Sequence, residues 1–150
     1  MVEVLVISIS KPLLIGIYKD KKLVESFSDE GMTSDVLPII FQDILEKFNL
    51  DRIFYVNTPG SYMAIKVAYV FLKTISISKN IELKACSGFA FNQNSPIKAL
   101  GKKYFINDDK TIKVDFLDNN CKIHDFKLPD VLEAIDFSSD TLPIYNLPAV

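Results

Sequence analysis

The residues best placed to do chemistry lie in one turn at residues 57–62, whose sequence is NTPGSY. A β-branched and aromatic stretch, residues 52–56, precedes this turn, and a long segment without proline or glycine follows it. Pro59 and Gly60 favour a sharp turn, and Ser61 is a suitable N-cap for the next helix. A strand, a tight turn and a helix in this order often place backbone N–H groups on a phosphate. Because the turn holds a single glycine, it does not match a phosphate-binding loop.

Other arrangements that could support catalysis lack the required spacing. His124 is the only histidine, which excludes a histidine-rich metal site within one chain. A triad of Ser61, His124 and Asp125 can be assembled on paper, but adjacent residues of a strand point to opposite faces. Pairing Cys86 with His124 has no better basis, and the aspartates of residues 108–118 have the composition of turns. The sequence therefore predicts no catalytic, cofactor-binding or metal-binding residue.

The segment after the turn predicts a helix from Tyr62 to about Ser78 that is apolar on nearly all sides. At about 100° per residue, one broad face collects seven apolar side chains: Met63, Ala64, Val67, Ala68, Phe71, Leu72 and Ile75. The opposite face carries Tyr62, Lys66, Tyr69, Val70, Lys73 and Ile77. A helix of this kind is usually covered on two sides. Either another part of the chain or another protein covers the second face, and the short chain favours another protein.

Composition and charge limit the classes of function. The 150 residues, of which 49% are hydrophobic and 24% charged, suit one globular domain with a small appendage. The net charge of −2, without an evident basic patch, argues against a protein that binds nucleic acid alone. No apolar run reaches the roughly 18 residues of a membrane span, and Glu3 interrupts any N-terminal targeting signal. Two cysteines are too few for a disulfide framework and indicate a reducing cytoplasm.

The elements around the turn alternate in a recognisable order. Strands are predicted at residues 2–9, 13–18, 23–27, 52–56 and 81–85. A helix capped by Ser34 and Asp35 is predicted to run to about Phe48, with Ile39 and Asp43 on its polar face. Residues 87–91 begin a short helix. After a boundary at residues 92–96, the sequence predicts a hairpin at 103–106 and 111–116, a third strand at 122–126, a helix at 129–135 and an extended tail at 140–150.

The order β-β-β-α-β-α-β is the plan of the ribonuclease-H-like, actin-like domain, an α/β fold with a mixed sheet. In particular, the chain resembles the TsaB (YeaZ) family, a bacterial subunit for threonylcarbamoyladenosine biosynthesis on tRNA. The resemblance is carried first by TPGSYMAIK at residues 58–66, which is similar to the family's G-P-G-S-F-T-G-[LV]-R. Shorter matches are VLVI at 4–7, VLPII at 36–40, IELKA at 81–85 before Ser87, and LPIY at 142–145.

The chain departs from the family pattern at several positions. Where the family's first turn has an acidic residue followed by threonine, this sequence has Ser8-Ile9-Ser10. Two family glycines correspond to Thr58 and Ala64, the family arginine corresponds to Lys66, and the usual histidine before the first helix corresponds to about Met32. The resemblance implies an actin-like domain at residues 1–92 and a reduced, β-rich C-terminal lobe at residues 93–150.

Two classes of function are compatible with these residues. The resemblance implies a non-catalytic cytoplasmic subunit that docks on a TsaD-like catalytic partner, is joined by a TsaE-like ATPase, and meets tRNA only through the complex. The docking face would contain Ile39, Asp43, Tyr62, Lys66, Tyr69, Val70, Lys73 and Ile77, and the chain could self-associate when the partner is absent. The alternative is an ATP-dependent phosphotransferase of the actin-like superfamily. Its metal ligands would include a carboxylate on the first strand, where this chain has Ser8. A peptidase, as some relatives have been labelled, would need metal-binding histidines.

Overall fold

The computed structural model describes residues 1–109, 111–133 and 135–146. Its elements are β1 (Val2–Ile7), β2 (Leu13–Lys19), β3 (Lys22–Asp29), α1 (Thr33–Lys47), β4 (Arg52–Thr58), α2 (Tyr62–Lys79), β5 (Glu82–Ser87), a 3-10 turn (Gly88–Phe91), β6 (Ile97–Lys98), β7 (Lys103–Asp108) and β8 (Thr111–Phe116). The predicted order of the first seven elements, β-β-β-α-β-α-β, is confirmed.

The larger sheet has five strands in the order β3-β2-β1-β4-β5. The first three strands form an antiparallel meander, and β4 and β5 add parallel to β1. Asp20 and Lys21, which join β2 to β3, both have positive φ, as a two-residue hairpin turn requires. The sheet is therefore mixed, as predicted, and its parallel half needs cover on both faces.

Both helices cover the same face of this sheet. Leu37, Phe41 and Ile44 of α1 are fully buried against it, as are Ile65 and other residues of α2. The strand side chains below them come from alternate positions, for example Val4, Val6, Ile15, Ile17, Ile53 and Tyr55. The periods of 3.6 in the helices and 2 in the strands produce this layer directly.

An extended C-terminal segment covers the opposite face. We call it the strap and define it as residues 127–133 and 135–146. Leu128 and Leu132 of the strap are buried on this face, and the Phe137 ring stacks on Phe54 with 3.8 Å between ring centroids. The Tyr18 hydroxyl donates a hydrogen bond to the carbonyl of Pro129 at 2.7 Å. The first part of the strap thus provides the cover that helices give the other face.

The predicted helix at residues 129–135 is wrong, because its described residues lie in the strap and pair with a strand edge. The N–H of Leu23 donates to the carbonyl of Asp130 at 2.9 Å, and the N–H of Leu132 donates to the carbonyl of Lys21 at 2.8 Å. Val131 forms an antiparallel bridge with Lys22. Seven residues make an unstable helix alone, and pairing with β3 satisfies the same backbone groups. Ala134 lies outside the described residues.

The smaller sheet has the order β6-β7-β8, and the predicted hairpin of β7 and β8 is confirmed. The strand predicted at residues 122–126 is wrong. Ile97 and Lys98 instead supply the third strand, and His124 is tied by its backbone N–H to the Ser95 hydroxyl at 3.0 Å. The boundary predicted at residue 92 stays a prediction, and the strap returns to the larger sheet. Of the predicted extended tail, residues 140–146 have no helix or strand, and residues 147–150 lie outside the described residues.

The two helices begin differently. Ser61 is the N-cap of α2, as predicted, and its hydroxyl accepts from the N–H of Ala64 at 3.5 Å. The cap predicted for α1 at Ser34 and Asp35 is wrong, since the helix begins at Thr33 and Met32 occupies the cap without a side-chain hydrogen bond. Asp35 lies in the first turn, where a negative charge favours the helix dipole.

A buried carboxylate ties one end of the sheet together. Glu3 of β1 has no exposed surface, and its oxygens accept from Lys21 Nζ at 2.9 and 3.1 Å and from Arg52 Nη1 at 2.9 Å. Arg52 of β4 also pairs with Glu82 of β5. A continuous network of ion pairs therefore links the hairpin turn, β1, β4 and β5.

Removing both cations from Glu3 is expected to destabilise the fold strongly. In a Lys21→Met, Arg52→Met variant, the buried carboxylate keeps its desolvation cost without a counter-charge, so the free energy of unfolding should fall by about 3–5 kcal/mol. Urea denaturation measures this change. The matched control is Lys47→Met, which breaks two exposed ion pairs and should cost less than about 1 kcal/mol. Equal unfolding midpoints for the two variants would contradict the importance of the Glu3 network.

Candidate functional site

The buried face of α2 is centred on Ile65, Ala68 and Leu72. Tyr69, Phe71 and Ile75 are partly buried against the same core. The predicted core face is therefore wrong at Met63, which is exposed, and it omitted Ile65, which is fully buried. Because the helix is apolar on nearly all sides, the spacing of its apolar residues does not show which side faces the core.

The turn before α2 is shaped by packing. A Cβ atom on Gly60 would overlap the side chain of Ile9, which follows β1. A Cβ on Gly88, which follows β5, would overlap the same side chain. Both glycines are thus explained by close approach to Ile9, so Gly60 needs no phosphate ligand to account for it.

The strap covers part of the tyrosine side of α2, which we define as the side that carries Tyr62 and Tyr69. The Tyr145 ring lies over Tyr62 with 4.5 Å between centroids, and Lys66 Nζ lies 5.5 Å from the centroid of Tyr62. The Tyr69 ring lies 6.1 Å from the ring of Tyr55, which belongs to the sheet. The sequence left open whether the chain itself or another protein covers this face. The chain itself covers part of it, through Tyr145 and Tyr55.

Hydrogen bonds fix the end of the strap to the carboxyl end of β4. The Tyr55 hydroxyl donates to the carbonyl of Thr141, and burial, followed by the neighbouring Tyr69, raises the pKa of Tyr55 so that the hydroxyl remains a donor. Asn57 Nδ2 donates to the carbonyl of Leu142 at 2.9 Å, and the N–H of Ile144 donates to the carbonyl of Asn57 at 3.0 Å. These three hydrogen bonds to the backbone of residues 141–146, the strap end, hold it beside α2.

An apolar groove remains open between α1 and α2. It has a volume of about 420 Å³, and its lining consists of Thr33, Ser34 and Pro38 from α1 with Met63, Lys66, Val67, Val70, Phe71 and Thr74 from α2. Phe71 meets Phe41 of α1 edge to face, with 5.6 Å between ring centroids. The groove residues of α2 at positions 63, 67, 70 and 74 have helical spacing, which the sequence shows. The sequence analysis had assigned Met63 and Val67 to the core face.

The structure places the predicted partner-binding residues in different surroundings, and their role in docking stays a prediction. Lys66 and Val70 line the groove, and Lys73 and Ile77 lie farther along α2, with Ile77 exposed. Tyr62 and Tyr69 are half-buried beneath the strap end and beside Tyr55, respectively. On α1, Ile39 is exposed but does not line the groove. Asp43 pairs with Lys47 at 3.2 Å, and Lys47 in turn approaches Glu25 of β3, so Asp43 lies toward the edge strand.

A second cavity, of about 290 Å³, lies at the carboxyl end of β1 and the start of both helices. Ser8, Ser10, Lys11 and Glu30 are its polar lining nearest the strand end. Ser8 is buried, and its hydroxyl donates to the carbonyl of Ala64 at 3.3 Å. Glu30 is the one carboxylate among the lining residues. Across residues 1–109, 111–133 and 135–146, no three His, Cys, Asp or Glu side chains cluster as metal ligands would.

The residues weighed for catalysis are not brought together. Within the described ranges, no hydrogen bond joins the side chains of Ser61, His124 and Asp125. Cys86 is buried, its thiol lies 3.6 Å from the carbonyl of Tyr55, and burial raises its pKa, which keeps the thiol protonated. A protonated thiol is a poor nucleophile. In the part of the chain described, no helix is both long enough and apolar enough to cross a bilayer.

Comparison with solved structures identifies the fold. No family model and no curated protein matches the sequence. YeaZ from Pseudomonas aeruginosa superimposes with a TM-score of 0.58 at 8% identity, covering 82% of this chain and 67% of that one. A second structure, of an uncharacterized protein from Pseudomonas aeruginosa with similarity to peptidase YeaZ, gives 0.59 at 10% identity, covering 76% and 63%. The chain spans about two thirds of the length of these structures. The expected resemblance is confirmed at the level of the fold, and this chain has a mixed α/β, YeaZ-like fold.

Proposed function

We propose that this chain is a non-catalytic, TsaB-like subunit of a cytoplasmic complex that makes threonylcarbamoyladenosine on tRNA. It docks on a TsaD-like catalytic subunit, a TsaE-like ATPase joins the complex, and tRNA meets the chain only there. Its larger sheet and two helices are then a ribonuclease-H-like, actin-like domain. The YeaZ-like fold and the family motif at residues 58–66 support this proposal.

The open groove between α1 and α2 is the single observation that carries the docking role. Four of its nine lining residues are polar, but the surface that the lining exposes is almost entirely apolar, and Met63 and Val70 are themselves exposed. Exposed apolar patches on a small domain mark interaction sites. Two helices side by side also present ridges and grooves into which a second helix pair packs. In this proposal the chain stabilises its partner by packing, without contributing a reacting group.

Val70→Asp is expected to prevent docking without unfolding the chain. Val70 is 55% exposed, so a carboxylate there is hydrated in the free chain but buried in the complex. Loss of at least about 2 kcal/mol, roughly 30-fold in Kd, is expected. Calorimetry with the purified TsaD-like protein of the same organism measures the affinity.

The matched control is Val24→Asp, because Val24 is 53% exposed on the edge strand β3, away from the groove. It should bind the TsaD-like protein like the unsubstituted chain. If Val70→Asp and Val24→Asp bind equally well, the groove is not the docking surface.

Tyr69→Asp should behave differently from Val70→Asp. Tyr69 packs against the core and the ring of Tyr55, so the new charge is partly desolvated even in the free chain. A loss of about 1–3 kcal/mol in unfolding free energy is expected, with a lower melting temperature. From the sequence alone, Tyr69 was placed on the docking face without any contact to the core. A melting temperature equal to that of Val70→Asp would show that the tyrosine side is open to solvent.

The phosphotransferase alternative makes an opposite prediction about nucleotide binding. An enzyme of that class needs carboxylates for Mg²⁺ at the carboxyl end of the first strand. Ser8 occupies that position, and its hydroxyl donates a hydrogen bond to the carbonyl of Ala64. Calorimetry with Mg·ATP is therefore expected to give no heat of binding up to millimolar nucleotide. Micromolar affinity that is lost in Lys11→Ala, which alters the cavity, would favour the phosphotransferase.

A further inference from the structure

The strap end continues the exposed apolar surface of α2. Among the described residues, fourteen large hydrophobic side chains are well exposed, and six of them lie on α2 or the strap end: Met63, Val70, Ile77, Leu142, Ile144 and Tyr145. Such a concentration on two adjacent segments is unusual for a surface that faces only water.

Contacts join the two segments into one surface. Lys66 lines the groove on one side and lies over the Tyr62 ring on the other. The ring of Tyr62 in turn packs against the ring of Tyr145 in the strap end. The surface therefore runs without interruption from the groove, across the first turns of α2, to the strap end.

The backbone of the strap end is fixed while the side chains of Leu142 and Ile144 remain exposed. The carbonyls of Thr141 and Leu142 and the N–H of Ile144 are all bonded to β4 side chains or backbone. The side chains of Leu142 and Ile144 are both exposed, at 61% and 52%. A segment ordered in advance loses little entropy on binding, which favours its use as a contact surface.

We propose that the strap end is part of the docking surface, with Leu142 and Ile144 inserted against the TsaD-like subunit. This inference rests on the proposed function and adds a second contact region to it. The occupant is a protein face with an apolar centre and acidic rim, because α2 carries Lys66, Lys73 and Lys79 and no acidic residue. A second copy of the chain fits less well, since a two-fold contact centred on α2 would set these lysines against one another.

Substitution at Ile144 tests the proposal with a matched control. Ile144 is 52% exposed and Ile123, which lies in irregular chain before the strap, is 50% exposed. Ile144→Asp and Leu142→Asp should each raise the Kd for the TsaD-like protein by at least about ten-fold. Ile123→Asp should change it by less than about two-fold. Melting temperatures of all three should match that of the unsubstituted chain.

A footprint gives a readout that does not depend on weakening the complex. In a Cys121→Ser background, which removes the exposed native thiol, Ile144→Cys should react with maleimide at least about ten-fold more slowly when the TsaD-like protein is bound. Ile123→Cys should react at the same rate in the free chain and the complex. This measurement decides the matter even if the aspartate variants are unstable.

The outcomes separate the two proposals. If Val70→Asp prevents binding but Ile144→Asp does not, and Ile144→Cys stays reactive in the complex, the strap inference is overturned and the proposed function stands. If the unsubstituted chain does not bind the TsaD-like protein, the proposed function fails and the strap loses its partner. If the chain forms a dimer that Ile144→Asp dissociates, with binding to the TsaD-like protein unchanged, the occupant is a second copy and the inference is wrong.

Discussion

A mixed sheet with two apolar faces must be covered twice, and this chain has helices for only one of them. Both α1 and α2 lie on the face that contains Val4, Val6 and Tyr55. The face that contains Leu5 and Phe54 is closed by the strap, which buries Leu128 and Leu132 and stacks Phe137. Each buried leucine contributes on the order of 2 kcal/mol through the hydrophobic effect, so the strap is part of the core. The path of the strap also explains why the tyrosine side of α2 is partly covered.

The route of the strap links the core to the proposed docking surface. It leaves the edge of β3, crosses the helix-free face, pairs with the β5 edge through Ser138 and Ala85, and ends beside α2. Both edges of the sheet are thereby partly blocked, which limits pairing with other strands. The same segment packs the core at one end and presents apolar side chains at the other, so continuous backbone connects the core to the proposed docking surface.

The sequence was sufficient for the first seven elements because each has its own local period, in apolar strands or in the spacing of α1 and α2. It was not sufficient for the strap, whose backbone bonds to Leu23 and Ala85 join residues more than fifty positions apart. The groove was predicted in part, since Lys66 and Val70 were assigned to a docking face, whereas Met63 was assigned to the core. A helix without a polar side gives no local signal of which face is buried. The ion pairs of Glu3 were also missed, because partners from three segments meet only in the folded chain.

The position of the strap in the chain has a consequence for biosynthesis. Domains fold as they emerge from the ribosome, at about 5–20 residues per second, and the strap is translated after the sheet that it covers. The sheet is complete at Ser87, whereas Leu128 is made 41 residues later, which corresponds to a delay of about 2–8 seconds. During that interval the nascent sheet exposes Leu5, Phe54 and Val56 to the crowded exit site. Transiently exposed apolar surface of this kind is prone to aggregation, so the spacing between β5 and the strap sets how long the nascent chain carries that risk.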